Sequence, residues 1–224
     1  KRIYPLFNRI RKYFNGTVPK VRCPVKTLLQ INTSLFGENG NSSRLARRFV
    51  EAWRKTHPDG RVILRDLNRD PLPHLDAERA GAFFGKPDGR TPEQQAIVAA
   101  SDALIAELKS ADVVVLGLPL YNFGIPSTLK AYFDHIARAG VSFRYTAQGP
   151  VGLIGDRKVY VLAARGGYYQ GTEADTQTPF VTRFFNLLGI QDIEFVYAEG
   201  LNVSNEAKER ALADAGATVD RLAA

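Results

Sequence analysis

Three short stretches of this chain hold residue types suited to a charged, flat and partly polar ligand. The first is Thr33-Ser34-Leu35-Phe36-Gly37-Glu38-Asn39-Gly40-Asn41-Ser42-Ser43. It lies where an apolar strand feeds a helix. Backbone N–H groups at a helix start, aided by the helix dipole, favour an anion. Ser34, Asn41, Ser42 and Ser43 add neutral donors. The loop has no lysine, and neither GxxxxGK[ST] nor GxGxxG occurs in the chain. That excludes a nucleoside-triphosphate loop and argues against a dinucleotide fingerprint. A single phosphate fits better. The same residue types also make ordinary caps and turns, so the stretch does not decide alone.

The second stretch is Pro119-Leu120-Tyr121-Asn122-Phe123-Gly124-Ile125-Pro126. Two aromatics, an amide and free backbone groups suit a flat heteroaromatic ring. The competing reading is a structural turn that buries Tyr121 and Phe123 in the core. The third is Ala164-Arg165-Gly166-Gly167-Tyr168-Tyr169. Paired glycines let backbone amides approach a ligand closely. Arg165 offers a cation to an anionic ring, and the tyrosines offer stacking faces. The competing reading is a flexible loop with an exposed arginine.

The elements around these stretches must bring them together. Val113 to Leu118 is apolar without alternation, the pattern of a strand buried on both faces of a parallel sheet. Further strands are expected over 25–32, 61–67, 158–164 and 192–198. Helices are expected over 43–56, with Leu45, Phe49 and Trp53 inward, over 126–139 ending at Gly140, and over 179–188 and 204–222. Thr91-Pro92-Glu93-Gln94 has the form of a capping box with proline in the first turn. The helix it opens should bury Ile97, Leu104 and Leu108. Residues 76–90 read as irregular or weakly helical, and 141–150 as a turn-rich excursion.

Five strands alternating with helices predict a doubly wound, flavodoxin-like α/β domain. Its five-stranded parallel sheet should have order 2-1-3-4-5, with helices on both faces. Strands one, three and four are then neighbours. The three stretches meet outside their carboxyl ends, where open α/β sheets bind ligands. A monophosphate plus a flat ring with polar edges describes FMN. The flavin would carry the redox chemistry, so no protein acid, base or nucleophile is required.

Composition is consistent with one domain. The 224 residues are 45% hydrophobic and 24% charged. The net charge of +7 is uneven: residues 1–26 hold eight basic and no acidic residues, and the remaining 198 hold 22 basic and 23 acidic. The body is therefore near neutral and gives no nucleic-acid signal. Cys23 is the only cysteine, and His57, His74 and His135 are scattered. No disulfide framework, metal site or secretion is indicated, and a cytoplasmic location is expected. No methionine occurs.

Residues 1–24 read as a basic extension preceding the domain at 25–224. Ile3, Leu6, Phe7, Ile10 and Phe14 share a helical face. Such a helix can lie on an anionic membrane or act as a transit peptide. Residues 1–33 contain no serine, which argues against a transit peptide, and a peripheral arm is the reading preferred to membrane contact.

The chain from about residue 26 onward resembles the FMN-dependent NADH-azoreductases, a group of flavodoxin-like NAD(P)H:quinone reductases. The resemblance rests on the collinear set FVEAWR, PLYNFGIPSTLKAYFDHIARAGVSFRYT, ARGG and FVYAEG. It implies that Ser34, Asn41 and Ser42, beside Ser43, hold the FMN phosphate. Leu120, Tyr121, Asn122 and Phe123 would line the isoalloxazine. Arg165, Gly166 and Gly167, after Ala164, would hold its pyrimidine edge. Tyr145 would line the substrate pocket and could supply a proton, with Tyr168 and Tyr169 in a variable substrate-facing stretch.

The resemblance further implies a homodimer with sites at the subunit interface. It implies ping-pong, two-electron hydride transfer from NADH or NADPH to a quinone or azo compound. A flavodoxin-type electron carrier is the alternative, against which the near-neutral body argues. Leu120 stands where the family often has methionine, and Ala164 where it often has serine. The latter removes one potential hydrogen bond to the flavin.

Overall fold

A computed structural model describes residues 25–224, and the arm expected at 1–24 lies outside the described residues. The central sheet pairs β1 (Thr27–Asn32), β2 (Arg61–Asp66), β3 (Val113–Pro119), β6 (Lys158–Ala164) and β7 (Ile193–Ala198). All pairs are parallel, in the order β2-β1-β3-β6-β7. The expected pattern 2-1-3-4-5 is preserved, but the strand count is not. Residues 141–150 were expected to form a turn-rich excursion. Instead β4 (Phe143–Thr146) and β5 (Gly149–Gly152) form an antiparallel hairpin outside the main sheet. Gly149 takes a left-handed φ of 114° at the turn.

Six α-helices lie among the described residues: α1 (Asn41–Thr56), α2 (Ala77–Phe84), α3 (Pro92–Ser110), α4 (Ser127–Ile136), α5 (Gln177–Leu187) and α6 (Asn205–Leu222). Strand alternation sorts the core into two layers. Leu29, Ile31, Val114, Leu116, Leu118, Val159 and Val161 face α3, α4 and α5. Leu28, Val115, Leu162, Val196 and Ala198 face α1 and α6. The sheet is thus covered on both sides, which explains the unbroken apolar run of β3.

Local signals set several boundaries. Thr91 Oγ1 accepts from Gln94 N while Gln94 Oε1 accepts from Thr91 N, so the capping box is formed. The inward stripe of α3 uses Val98 with Leu104 and Leu108, and Ile97 is only half-buried. Helix α4 stops at Ile136, short of Gly140. Ser142 Oγ accepts from Arg138 N there, and a new turn replaces the helical one. Residues 76–90 hold α2, capped by Asp76, and a 3₁₀ turn.

One close approach positions the ligand-facing end. A side chain at Gly117 of β3 would place its Cβ 3.1 Å from the Ser42 carbonyl oxygen. The start of α1 therefore rests directly on the central strand. Gly117→Val should lower the unfolding free energy by about 1–3 kcal/mol, as overpacking does, read by chemical denaturation. A variant as stable as the parent would show that α1 can back away from the sheet.

Candidate functional site

The loops after β1, β3 and β6 converge at the carboxyl end of the sheet, because their strands are neighbours. Thr33 Oγ1 donates to the Gly117 carbonyl at 2.7 Å, fastening the first loop to β3. Tyr121 Oη then lies 3.3 Å from Ser34 Oγ and accepts from Leu35 N at 3.2 Å. The first and second loops are thereby joined by one phenol.

Helix α1 begins without a side-chain cap on Gly40 and without an acidic residue in its first turn. The N–H groups of Asn41, Ser42 and Ser43 have no intrahelical acceptor. Ser42 and Ser43 are buried, yet neither hydroxyl has a partner among the described residues. Two orphaned buried hydroxyls at an uncapped helix start are costly unless a ligand satisfies them. Hydroxyl and amide donors of this kind suit an anion such as a phosphate.

The second loop is a tight turn. Tyr121 and Gly124 exchange backbone hydrogen bonds at 2.9 and 3.2 Å. Asn122 and Phe123 adopt left-handed φ values of 49° and 58°. Such backbone is uncommon for residues with a Cβ and gathers at ligand sites. Phe123 is 58% exposed and Tyr121 half-buried, so the reading that hides both in the core does not hold. Phe123 meets Tyr169 edge-on, with centroids 5.8 Å apart. Leu120 continues the turn, its N–H donating to Ala164 O at 3.0 Å.

The third loop presents backbone rather than charge. The carbonyls of Arg165, Gly166 and Gly167 accept from the N–H groups of Leu201, Asn202 and Gly200. The N–H groups of Gly166 and Gly167 have no acceptor among the described residues. Arg165 departs from expectation. It is 1% exposed, with Nη1 donating to Glu199 at 3.1 Å and Nη2 donating to Asp175 at 2.9 Å and to Thr178 at 3.1 Å. The guanidinium also lies over the Tyr197 ring, 4.9 Å from its centroid. It is spent inside the protein, and no cation faces the ring edge from this position.

Glu199 Oε1 also accepts from Tyr169 N and Gln170 N, both at 3.0 Å. The ion cluster therefore ties the third loop to β7 and to the start of α5. Asp175, Thr178, Tyr197 and Glu199 were not visible as site residues in the sequence, because nothing local pairs them with Arg165.

Tyr168 and Tyr169 part ways. Tyr168, 63% exposed, turns toward α6 and covers Gly200, while Tyr169 reaches the second loop. Tyr145 sits on the hairpin, 75% exposed and edge-on to Phe143. Within one copy of the chain it makes no hydrogen bond or aromatic contact with the three loops among the described residues. Among the described residues no cluster of His, Cys, Asp and Glu could hold a metal, and no helix is long and apolar enough to cross a membrane.

Burial raises the Asp175 carboxyl, but hydrogen bonds from Arg165 and Thr178 and the guanidinium charge outweigh it. The folded value lies below the usual carboxylate range. Its contribution to stability is present above the unfolded value of about 4 and is lost as pH falls through the folded one. Asp175→Asn should therefore flatten the decline of unfolding free energy between about pH 5 and pH 3. A slope equal to the parent's would show that the pair adds nothing.

Comparison with known proteins agrees with this geometry. Residues 26–222 match a family model described as a flavodoxin-like fold. An FMN-dependent NADH:quinone oxidoreductase from Cellvibrio japonicus is 59% identical over 189 residues, covering 84% of this chain and 94% of that protein. The crystal structure of azoreductase from Bacillus anthracis str. Sterne superposes with a TM-score of 0.81 at 31% identity, over 89% of this chain and 99% of its own. An FMN-dependent NADH-azoreductase from Bacillus anthracis str. Ames Ancestor, solved in complex with FMN, gives 0.79 at 29% identity, over 89% and 100%.

Proposed function

The chain belongs to the flavodoxin-like fold family, and we infer that it is an FMN-dependent NAD(P)H oxidoreductase acting on quinones and azo compounds, as its 59% identical relative and its azoreductase neighbour are named. The observation that carries this reading is the uncapped start of α1. There two buried serine hydroxyls await an anion, beside a left-handed aromatic turn. FMN held there would supply two-electron redox chemistry between a reduced nicotinamide and the acceptor.

The protein's own groups bind and orient. Ser34, Asn41, Ser42 and Ser43, with the first N–H groups of α1, hold the phosphate. The turn from Leu120 to Phe123 and the amides of Gly166 and Gly167 hold the ring. Neutral donors there favour negative charge as it develops on the ring, without reorganisation. Tyr169 and exposed Phe123 shape the acceptor side, whereas Tyr168, turned toward α6, takes no part in it. With Ala164 in place of a hydroxyl residue, the third loop works through backbone donors alone.

We further propose a homodimer in which Tyr145, exposed and without a hydrogen bond or aromatic contact to the loops of its own chain, completes the partner's pocket. The exposed Phe84 and Val151 are apolar surface available for such an interface. A cytoplasmic setting accords with the single cysteine. The electron-carrier alternative is less favoured, since the 59% identical relative is named an oxidoreductase with a quinone acceptor.

The test is direct. The purified protein loaded with FMN should be yellow and should oxidise NADH faster when a quinone is added. A protein that cannot be reconstituted with FMN would overturn the reading, and a yellow protein inert to nicotinamides would favour the carrier. Ser42→Ala should weaken FMN binding about ten- to a hundredfold, the loss of one hydrogen bond to a charged group. Titration by flavin fluorescence measures it.

A further inference from the structure

Gln177 opens α5 and is fully buried, 0% exposed. Its Nε2 donates to the Pro119 carbonyl at 2.8 Å and the Gly124 carbonyl at 3.0 Å. Those two carbonyls flank the turn that holds Leu120 to Phe123. Both are acceptors only, so the amide must present its nitrogen to them. Neighbouring Thr176 donates its hydroxyl to the Phe123 carbonyl. Three carbonyls of the second loop are therefore held by two consecutive side chains of the third.

We propose that Gln177 is a positioning residue for the ring-binding turn. Its amide fixes both ends of a turn whose centre, Asn122 and Phe123, sits in left-handed backbone. Such backbone costs about 1–3 kcal/mol per residue and persists only where its surroundings impose it. The backbone bonds between Tyr121 and Gly124 close the turn on itself. Gln177 and Thr176 tie it to the rest of the protein. Arg165, through Asp175 and Thr178, in turn fixes the start of α5 from which Gln177 projects. The loop facing the acceptor and the loop facing the ring then move as one unit. This rests on the FMN reading given above.

The test uses the full chain loaded with FMN. Gln177→Met keeps the volume and removes both donors. Gln177→Glu keeps one donor while its carboxyl is protonated and none when it ionises against two carbonyls. The charged groups nearest in the chain and cluster, Arg165, Asp175 and Glu199, are already paired with one another. Ser101→Ala serves as a stability control, since Ser101 lies within α3 and bonds the His135 carbonyl of α4, outside these loops.

Gln177→Met should weaken FMN binding about tenfold relative to the parent at every pH. Its bound flavin should also show an altered visible spectrum. Gln177→Glu should bind FMN within a few-fold of the parent at low pH and fall to tenfold weaker or worse as pH rises, always compared with the parent at the same pH. Ser101→Ala should lose thermal stability yet keep the parent's FMN affinity and spectrum. FMN affinities within twofold of the parent for both Gln177 variants, or losses matched by Ser101→Ala at equal stability, would overturn the positioning role and leave the FMN reading standing. A parent protein that binds no FMN would overturn both.

Discussion

A guanidinium removed from water must keep its partners, and Arg165 is the charge on which the ligand-facing end of this protein depends. Breaking a buried ion pair by removing one side costs about 3–5 kcal/mol, because the other charge is left stranded. Arg165 has two carboxylates, Asp175 and Glu199, drawn from opposite sides of the third loop. Neither can leave without exposing the others' imbalance. The loop between them is pinned at residues 165, 169, 170, 175 and 178. Rigidity of this kind lets glycine amides be aimed rather than left mobile.

The remaining geometry follows from that anchor and from the sheet. Parallel pairing puts the ends of β1, β3 and β6 side by side. Gly117 lets α1 settle against β3, and Tyr121 stitches the first loop to the second. The outcome is a surface with donors but no free cation of its own in the third loop. On the proposed reading a dianionic phosphate would meet helix amides and hydroxyls, and a flat ring would meet neutral amides. Such an arrangement binds by many modest hydrogen bonds. It leaves the redox chemistry to the cofactor.

The parts of the fold that depend on local patterns were legible in the sequence. The apolar run of β3, the capping box of α3 and the strand-loop-helix punctuation were enough to place five parallel strands and three convergent loops. Long-range pairings were not legible. The hairpin at 143–152 was read as turns, although the alternation Phe143-Arg144-Tyr145-Thr146 before Gly149 was its trace. Arg165 was assigned outward because its partners lie 10 and 34 residues away. Tyr168 and Tyr169 could not be told apart, since a loop without regular structure has no periodicity that sorts neighbours by side. The left-handed φ values at Asn122 and Phe123 have no sequence signal beyond the asparagine.

The central claim is that three separate loops form one FMN site. Amide hydrogen exchange, measured on the protein with and without saturating FMN, reads each loop at once, since protection reports local opening along the chain. Binding should slow exchange together at Asn41 to Ser43, at Asn122 and Phe123, and at Gly166 and Gly167, with one shared dependence on FMN concentration. Protection confined to one of these loops, or appearing elsewhere on the surface while all three stay unchanged, would contradict it.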